Sequence, residues 1–462
     1  MTPANGSSQS DPPAPEAPST WRFPKVFWVA NCIELFERAA YYGCFIFLSV
    51  YLTKDVGFND VESGDIIAWF ACLLYFMPTF MGNISDKVGF RSALALAFAL
   101  LTAGYALLGA IPEKWSVILA LTMIMFGGAI VKPVISGTAA KCSSEANRSR
   151  AFSLFYMAVN IGSFTGKSLV DPIRIKLDAM DIGLTGLQAI NFYSASMALV
   201  ALILVGVAYR NIDSSGEGKT VRELLSGLGK VVRNVRFLSL IMIIGGFWAI
   251  QGQLYATMPK YLMRMVSDFA KPGWIANVNP LMVVLCVVPI NYLVRRIRPI
   301  SSIGIGLFII PFTALVVALA PNLGTERMLV LGISLHPLEL MLIIGIGLQG
   351  IAECFLSPRF LEYASKQAPP GEVGLYMGYS HLTTAFSWLF GFAASGRLLD
   401  KWCPAPEVVA AMPEAQRLTA YDHAHYIWFF WMGVGVLAFL LLLLFRYVTD
   451  RRDRERDLVG GD

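Results

Sequence analysis

Apolar residues gather along the chain in twelve runs, separated by short polar breaks. The runs span residues 26–52, 63–84, 91–111, 116–138, 148–171 and 188–209, then 237–259, 273–295, 301–320, 334–360, 373–399 and 423–447. A bilayer core needs about 20 consecutive apolar residues of helix to cross it. The runs are continuously apolar rather than alternating, which predicts helices and not barrel strands. The expected architecture is therefore an all-α integral membrane protein with twelve transmembrane helices in two six-helix bundles. The bundles are expected over 21–209 and 237–449, joined by a linker over 210–236. Residues 1–20, rich in Pro, Ser and Ala, read as a disordered cytoplasmic tail without the apolar core of a signal peptide. Residues 450–462 read as a charged cytoplasmic tail. In the linker, Val221, Leu224, Leu225, Leu228, Val231, Val232 and Val235 recur at helical spacing. With Arg222, Lys230 and Arg233 on other positions, they predict a basic amphipathic tether on the inner membrane surface.

Composition agrees with this pattern. Of 462 residues, 56% are hydrophobic and 15% charged, whereas soluble chains carry about 25% charged residues. Polar surface is too scarce to cover several soluble domains. The net charge of +5 is mild, and without a basic stripe interleaved with aromatics no nucleic-acid partner is expected. Five of the seven cysteines (Cys32, Cys44, Cys72, Cys286, Cys354) fall inside predicted spans, so a disulfide framework is not expected. The four histidines share no metal-ligand spacing, and no phosphate-binding glycine loop or nucleophile cluster is found. Neither an enzyme nor a cofactor is expected. Lys and Arg concentrate in alternate loops (Arg22, Lys25, Lys87, Arg91, Lys141, Arg148, Arg150, Arg295, Arg296, Arg298, Arg359, Lys366), which predicts both termini in the cytoplasm. The expected location is the plasma membrane, multi-pass, or the inner membrane of a bacterial host, with the chain acting as a monomer.

Charges inside the spans carry more information about function. Each costs on the order of 3 kcal/mol at a helix centre on insertion scales and is functional or paired by default. In the first span Asn31, Glu34, Arg38, Tyr41 and Tyr42 share one helical arc, with Glu37 on its flank. The fourth span carries Lys132 beside Pro133, and the tenth carries Glu353. Glu34 lies about 12 Å into the membrane at 1.5 Å per residue, and Lys132 and Glu353 also fall in the inner halves of their spans. Charges at one depth on both sides of a six–six division are where transporters keep substrate and ion sites. Glu34, Glu37, Arg38 and Lys132 balance as two acids and two bases, whereas Glu353 has no obvious base on its own helix. A buried carboxylate without a fixed partner is disposed to take a proton. A static salt-bridge cluster that only fixes helix packing is the competing reading. Lys167, in the outer half of the fifth span, reads as snorkelling to the outer interface. His423 and His425 read as interfacial. His381 reads as either a cavity-lining or a helix-contact group. Trp248 is a candidate cavity aromatic, ahead of Tyr379 and Trp388.

Two resemblances follow from particular motifs. The connection between the second and third spans, from Gly82 through Asp86, Lys87 and Gly89 to Arg91, resembles the loop signature of the major facilitator superfamily, a conformational gate. Glu34-x-x-Glu37-Arg38 followed by Tyr41-Tyr42-Gly43 resembles the first-helix signature of the proton-dependent oligopeptide transporter (POT/PTR) family within that superfamily. Gly128 to Pro133, Phe155 to Ser163, Asn279-Pro280 and Glu353 with Ser357-Pro358 are similar to further motifs of the family, in order. The resemblance implies a proton-coupled symporter that imports di- and tripeptides by alternating access. It implies proton coupling at Glu34, Glu37, Arg38, Lys132 and Glu353. It also implies a peptide site formed by Tyr41, Tyr42, Lys132, Asn160, Asn279 and Glu353, to which Trp248 is added as the aromatic candidate. The chain departs from the family's pattern at Ala39, where a phenylalanine is usual, and at Phe45, where peptide carriers often place an arginine. It also departs at Gln251 and Gln253, near which many members carry an acid, and in a linker too short for two extra helices. A major facilitator carrier for a different small molecule, with altered or weak proton coupling, is the alternative.

Overall fold

The computed structural model describes residues 22–144, 147–180, 183–210, 221–367 and 373–459. The expected tail over 1–20, residues 211–220 of the linker and the last three residues lie outside the described residues. Twelve helical traverses account for most of the rest. The first half comprises α1 (Lys25–Lys54), α2 (Asp60–Phe76, continued after a 48° bend by Pro78–Val88), α3 (Phe90–Ala110), α4 (Lys114–Lys141), α5 (Arg148–Asp178) and α6 (Gly186–Val207). The second half comprises α7 (Val235–Gln251, Gln253–Ala256 and Met258–Met265), α8 (Pro272–Ala276 and Val278–Val294), α9 (Pro299–Ala318), α10 (Pro337–Gln367), α11 (Val373–Ser380 and Leu382–Trp402) and α12 (Tyr426–Val459). A helix over Val221–Arg233 occupies the linker and packs against the near ends of α2 and α11, one from each half. A two-stranded antiparallel hairpin, β1 (Met328–Val330) with β2 (Ile333–Leu335), decorates the α9–α10 connection.

Eight of these helices are long and apolar enough on their own to cross a membrane, and the bent α2 pair makes a ninth. The remaining three traverses, α1, α5 and α11, fall short because they bring polar groups into the interior. The helix of α12 runs on to Val459, past the expected start of the charged tail, since after Gly435 its sequence holds no glycine or proline before Gly460.

Local chemistry sets the helix boundaries. Asn59 and Thr185 open α2 and α6 with reciprocal capping boxes to Glu62 and Gln188. Gly89 separates α2 from α3 at φ +92°, a backbone state that favours glycine. Small residues let helices cross closely. A Cβ at Gly162 on α5 would overlap the Leu35 carbonyl oxygen of α1. One at Gly64 on α2 would lie 2.7 Å from the Phe392 carbonyl oxygen of α11, and one at Gly396 would overlap the Asp60 carbonyl oxygen. The second crossing joins the two halves.

The face that bears the start of α1 and the end of α12 is called the terminal face here, and its opposite the distal face.

Candidate functional site

The polar stripe of α1 is turned inward. Glu34, Glu37 and Arg38 are 3%, 2% and 6% exposed. Arg38 donates from Nε to Glu37 and lies 3.2 Å from Glu34 Oε1, so one guanidinium serves two carboxylates. The Arg38 guanidinium also stands 5.4 Å from the Tyr41 ring centroid and 6.0 Å from that of Tyr42. Asn31 instead donates to the Phe27 carbonyl oxygen one turn back. Lys132, beside Pro133 on α4, places its ammonium 3.7 Å from the Tyr75 ring centroid and forms no ion pair within 4 Å among the described residues.

Next to this cluster lies a cavity of about 390 Å³ between the halves, within the range of about 300–1,000 Å³ common for small-molecule sites. From the first half, Tyr42, Tyr75, Tyr156, Asn160, Ser163 and Lys167 line it. From the second half come Trp248, Gln251, Tyr255, Asn279, Glu353 and Trp388, among others. Asn279 Nδ2 donates to Glu353 Oε2 over 3.3 Å. Asn160 spends its Nδ2 on the Tyr156 carbonyl oxygen of its own helix. Gln251 Oε1, Ser357 Oγ and Trp388 Nε1 are buried on this wall with no hydrogen-bond partner among the described residues, so the wall offers an amide-like set of donors and acceptors.

Several expected positions land elsewhere. Tyr41 lies behind the wall, stacked on Phe45 with ring centroids 5.0 Å apart, and does not line the cavity. The helical arc placed Tyr41 beside Tyr42, but successive residues turn about 100° apart, enough to bury one among α3 and α4 side chains. Lys132 likewise stays off the lining, held over Tyr75. The snorkelling expected of Lys167 is overturned. It is 1% exposed, lines the cavity and reaches the Ala276 carbonyl oxygen at 3.4 Å. At this level α5 meets the start of α8 in the other half, so depth alone did not give the direction of this side chain. His381 lines the cavity, as do Trp248 and Trp388, whereas Tyr379 is buried outside the lining. Of the two α7 amides, Gln251 faces the cavity. Gln253 is tied into the α7–α11 seam by bonds to the Ala249 and Gly391 carbonyl oxygens. In the gate loop, Arg91 donates to the Gly206 carbonyl oxygen at 2.6 Å. A Cβ at Gly82 would lie 3.0 Å from Pro133, so this end of α2 packs on α4. Lys87 is exposed, and Asp86 is half-buried without an ion pair among the described residues.

The structure adds a distal seal that the sequence did not reveal. Asp60 of α2, 4% exposed, accepts from Lys260 Nζ at 2.8 Å and from both terminal nitrogens of Arg264 at 2.9 Å, both on α7. Arg264 also donates to the Cys403 carbonyl oxygen of the α11 end. Nearby, Arg174 of α5 donates to the Asp268 and Ala270 carbonyl oxygens, and Asp171 accepts the Trp274 backbone N–H at 2.9 Å, at the start of α8. Beneath these polar links Phe45, Tyr255, Trp388 and Phe392 stack across the seam, with Phe45 and Trp388 rings 5.7 Å apart. The halves are therefore joined at the distal face. The cavity extends toward the terminal face, where Tyr156 and Leu361 are exposed.

Comparison with known proteins places this geometry. The family model described as Major Facilitator Superfamily matches residues 31–335 and 268–460. The chain is similar to multidrug resistance protein MdtH of Cronobacter sakazakii, with 23% identity over 364 residues covering 78% of this chain and 83% of the relative. It is also similar to dipeptide and tripeptide permease A of Citrobacter koseri, with 22% identity over 444 residues covering 82% and 85%. The corresponding permease of Chromobacterium violaceum is 31% identical over 206 residues, 44% of this chain and 40% of that protein. Among solved structures, tetrameric PepTSo2 superposes with a TM-score of 0.71 at 18% identity, covering 93% of this chain and 99% of that one. The POT family transporter PepTSo superposes with a TM-score of 0.70 at 19% identity, with the same coverage. Two bundles of six helices, the gate loop between α2 and α3, and a family match across both halves establish that the chain belongs to the major facilitator superfamily.

Proposed function

We propose that this chain is a proton-coupled symporter for di- and tripeptides that works by alternating access of its two halves around the central cavity. The observation that carries the reading is the cavity wall, which presents a cation, a carboxylate and unspent amide-like groups from both halves. The permeases of Citrobacter koseri and Chromobacterium violaceum, named for dipeptides and tripeptides, support it. With both termini cytoplasmic, as the Lys and Arg bias favours, the seal at Asp60 faces outward and the cavity faces the cytoplasm. The cavity is complete within one chain, which supports a working monomer in the plasma membrane, or the inner membrane in a bacterium.

In this reading Glu34 and Glu37 share Arg38, and a proton arriving on either carboxylate releases part of the guanidinium's hold. The Tyr42 ring lies 6.0 Å from Arg38 and 5.6 Å from Lys167, one side chain between the acid cluster and the cavity. Glu353, held by Asn279, is the second-half carboxylate available to a peptide amine or a proton. Lys132 adds positive charge near the acid pair without occupying the wall. Binding that brings α5 and α10 together is thereby coupled to protonation on α1. The gate loop at Gly82, Asp86, Lys87, Gly89 and Arg91 is proposed to pack the terminal face when it closes.

A carrier for a different small molecule is the second reading, favoured by the MdtH relative and by the aromatic wall of Trp248, Tyr255 and Trp388. Counterflow in proteoliposomes separates the two. Unlabelled dialanine or trialanine inside is expected to draw labelled dialanine inward, with no trans-stimulation by an aromatic cationic dye such as ethidium. Exchange of ethidium without exchange of dialanine would overturn the peptide reading.

A further inference from the structure

We propose that Lys167, across the seam from Glu353, is the residue that binds the substrate's carboxylate. The peptide-amine role of Glu353 is taken from the reading above. This inference rests on the peptide reading above and narrows it.

Lys167 is the one lysine or arginine that lines the cavity among the described residues, and Glu353 is the one carboxylate. They belong to opposite halves, α5 and α10. Lys167 is nine-tenths or more buried, at 1% exposure. A buried ammonium is costly unless its charge and its three donors are met. Its hydrogen bond is a single long one, 3.4 Å to the Ala276 carbonyl oxygen. Its ring contact with Tyr42, at 5.6 Å, is distant. Glu353 is held through Oε2 alone, by Asn279. Lys167 and Glu353 do not close to an ion pair within 4 Å of each other.

The other cations nearby are engaged or displaced. Arg38 is committed to Glu34 and Glu37, and Lys132 stands over the Tyr75 ring off the lining. At its distal end the cavity is closed by Trp388, which stacks on Phe45, and no other lysine or arginine among the described residues lines it. A carboxylate entering the cavity therefore meets one available ammonium, and an amine meets one available carboxylate. A zwitterion set between them satisfies both groups and brings its amide within the cavity that Gln251, Ser357 and Trp388 also line. It also draws α5 toward α10, which is the motion that substrate binding needs to favour if it is to promote turnover.

The test is calorimetric binding to the purified full chain of three probes: dialanine, dialanine amide and N-acetyl-dialanine. For wild type, removing either end charge is expected to weaken binding about tenfold to a hundredfold, the usual worth of a hydrogen bond to a charged group. Lys167→Gln is expected to weaken dialanine by a similar factor and to leave the amide unchanged, because the partner of the lost ammonium is already missing. Lys167→Arg should restore part of the preference for the free acid. Glu353→Gln should show the mirrored pattern with the N-acetyl probe. The thermal midpoint of each ligand-free variant reports folding, and the amide comparison on wild type needs no variant. Equal binding of dialanine and its amide by wild type, or an unchanged dialanine affinity in Lys167→Gln, would overturn the assignment while leaving the peptide reading in place. If wild type binds none of the probes, the peptide reading falls and takes this inference with it.

Discussion

Arg38→Gln will reduce proton-driven dipeptide uptake to the level of protein-free liposomes and will lower the thermal midpoint of the purified protein. The cause is the two buried carboxylates that this one guanidinium holds. Removing one partner of a buried ion pair costs about 3–5 kcal/mol, because the survivor is left charged in a poor solvent. Here two survivors remain. They must share a proton or repel, and neither state follows the external pH as the paired cluster does. Lys132 cannot take over from its place above Tyr75 without leaving that ring. Counterflow, which needs no net proton movement, is expected to fall less than gradient-driven uptake. Equal loss of both, with an unchanged midpoint, would mean that the cluster serves binding and not coupling. Uptake at wild-type level would remove the cluster from the mechanism.

Asp60→Ala is expected to open the distal face. Asp60 holds both Lys260 and Arg264, so its loss leaves two buried cations facing each other where the halves meet. A penalty of about 3–5 kcal/mol on the sealed state corresponds to a shift of roughly 100- to 1,000-fold or more toward the distal-open state. The chain carries its own reporter. Cys403 is buried directly beside this cluster, with its carbonyl oxygen accepting from Arg264. Labelling of Cys403 by a membrane-impermeant maleimide added from the distal side should rise at least about tenfold in the variant, in keeping with such a shift. A Cys403→Ala control assigns the signal. Labelling that stays at the wild-type rate would show that the aromatic stack around Phe45 seals the distal face without the ion cluster.

These two sites differ in how far the sequence revealed them. The α1 cluster was legible because three ionisable residues within five positions of an apolar run have no other explanation than pairing or function. The twelve traverses were legible for the same reason in reverse, since uninterrupted apolar runs leave few alternatives. Asp60, Lys260 and Arg264 were not legible. The apolar runs end at 63 and 259, while the helices extend from Asp60 and on to Met265, so these residues read as loop charges. A capping box at Asn59 and the four-residue spacing of Lys260 and Arg264 were the available signals of helix beyond the apolar run. Lys167 was visible in the sequence but its direction was not, for another reason. Depth along a helix follows from counting residues, but whether a side chain points to lipid or to the seam depends on how α5 packs. That packing is set by Gly162 and Gly166 meeting the α1 backbone, a contact between distant segments that periodicity does not encode. Tyr41 shows the converse limit, because sharing a helical arc with Tyr42 did not put it on the cavity.

In the proposed mechanism a proton gradient drives peptide through the cavity between the halves. The most direct measurement is accumulation of labelled dialanine in proteoliposomes of the purified protein, with the interior alkaline and the exterior acidic. Accumulation above the external concentration, collapse on adding a protonophore, and no accumulation in Glu353→Gln are expected. Accumulation that persists after the protonophore, or that Glu353→Gln supports as well as wild type, would contradict the proposed mechanism.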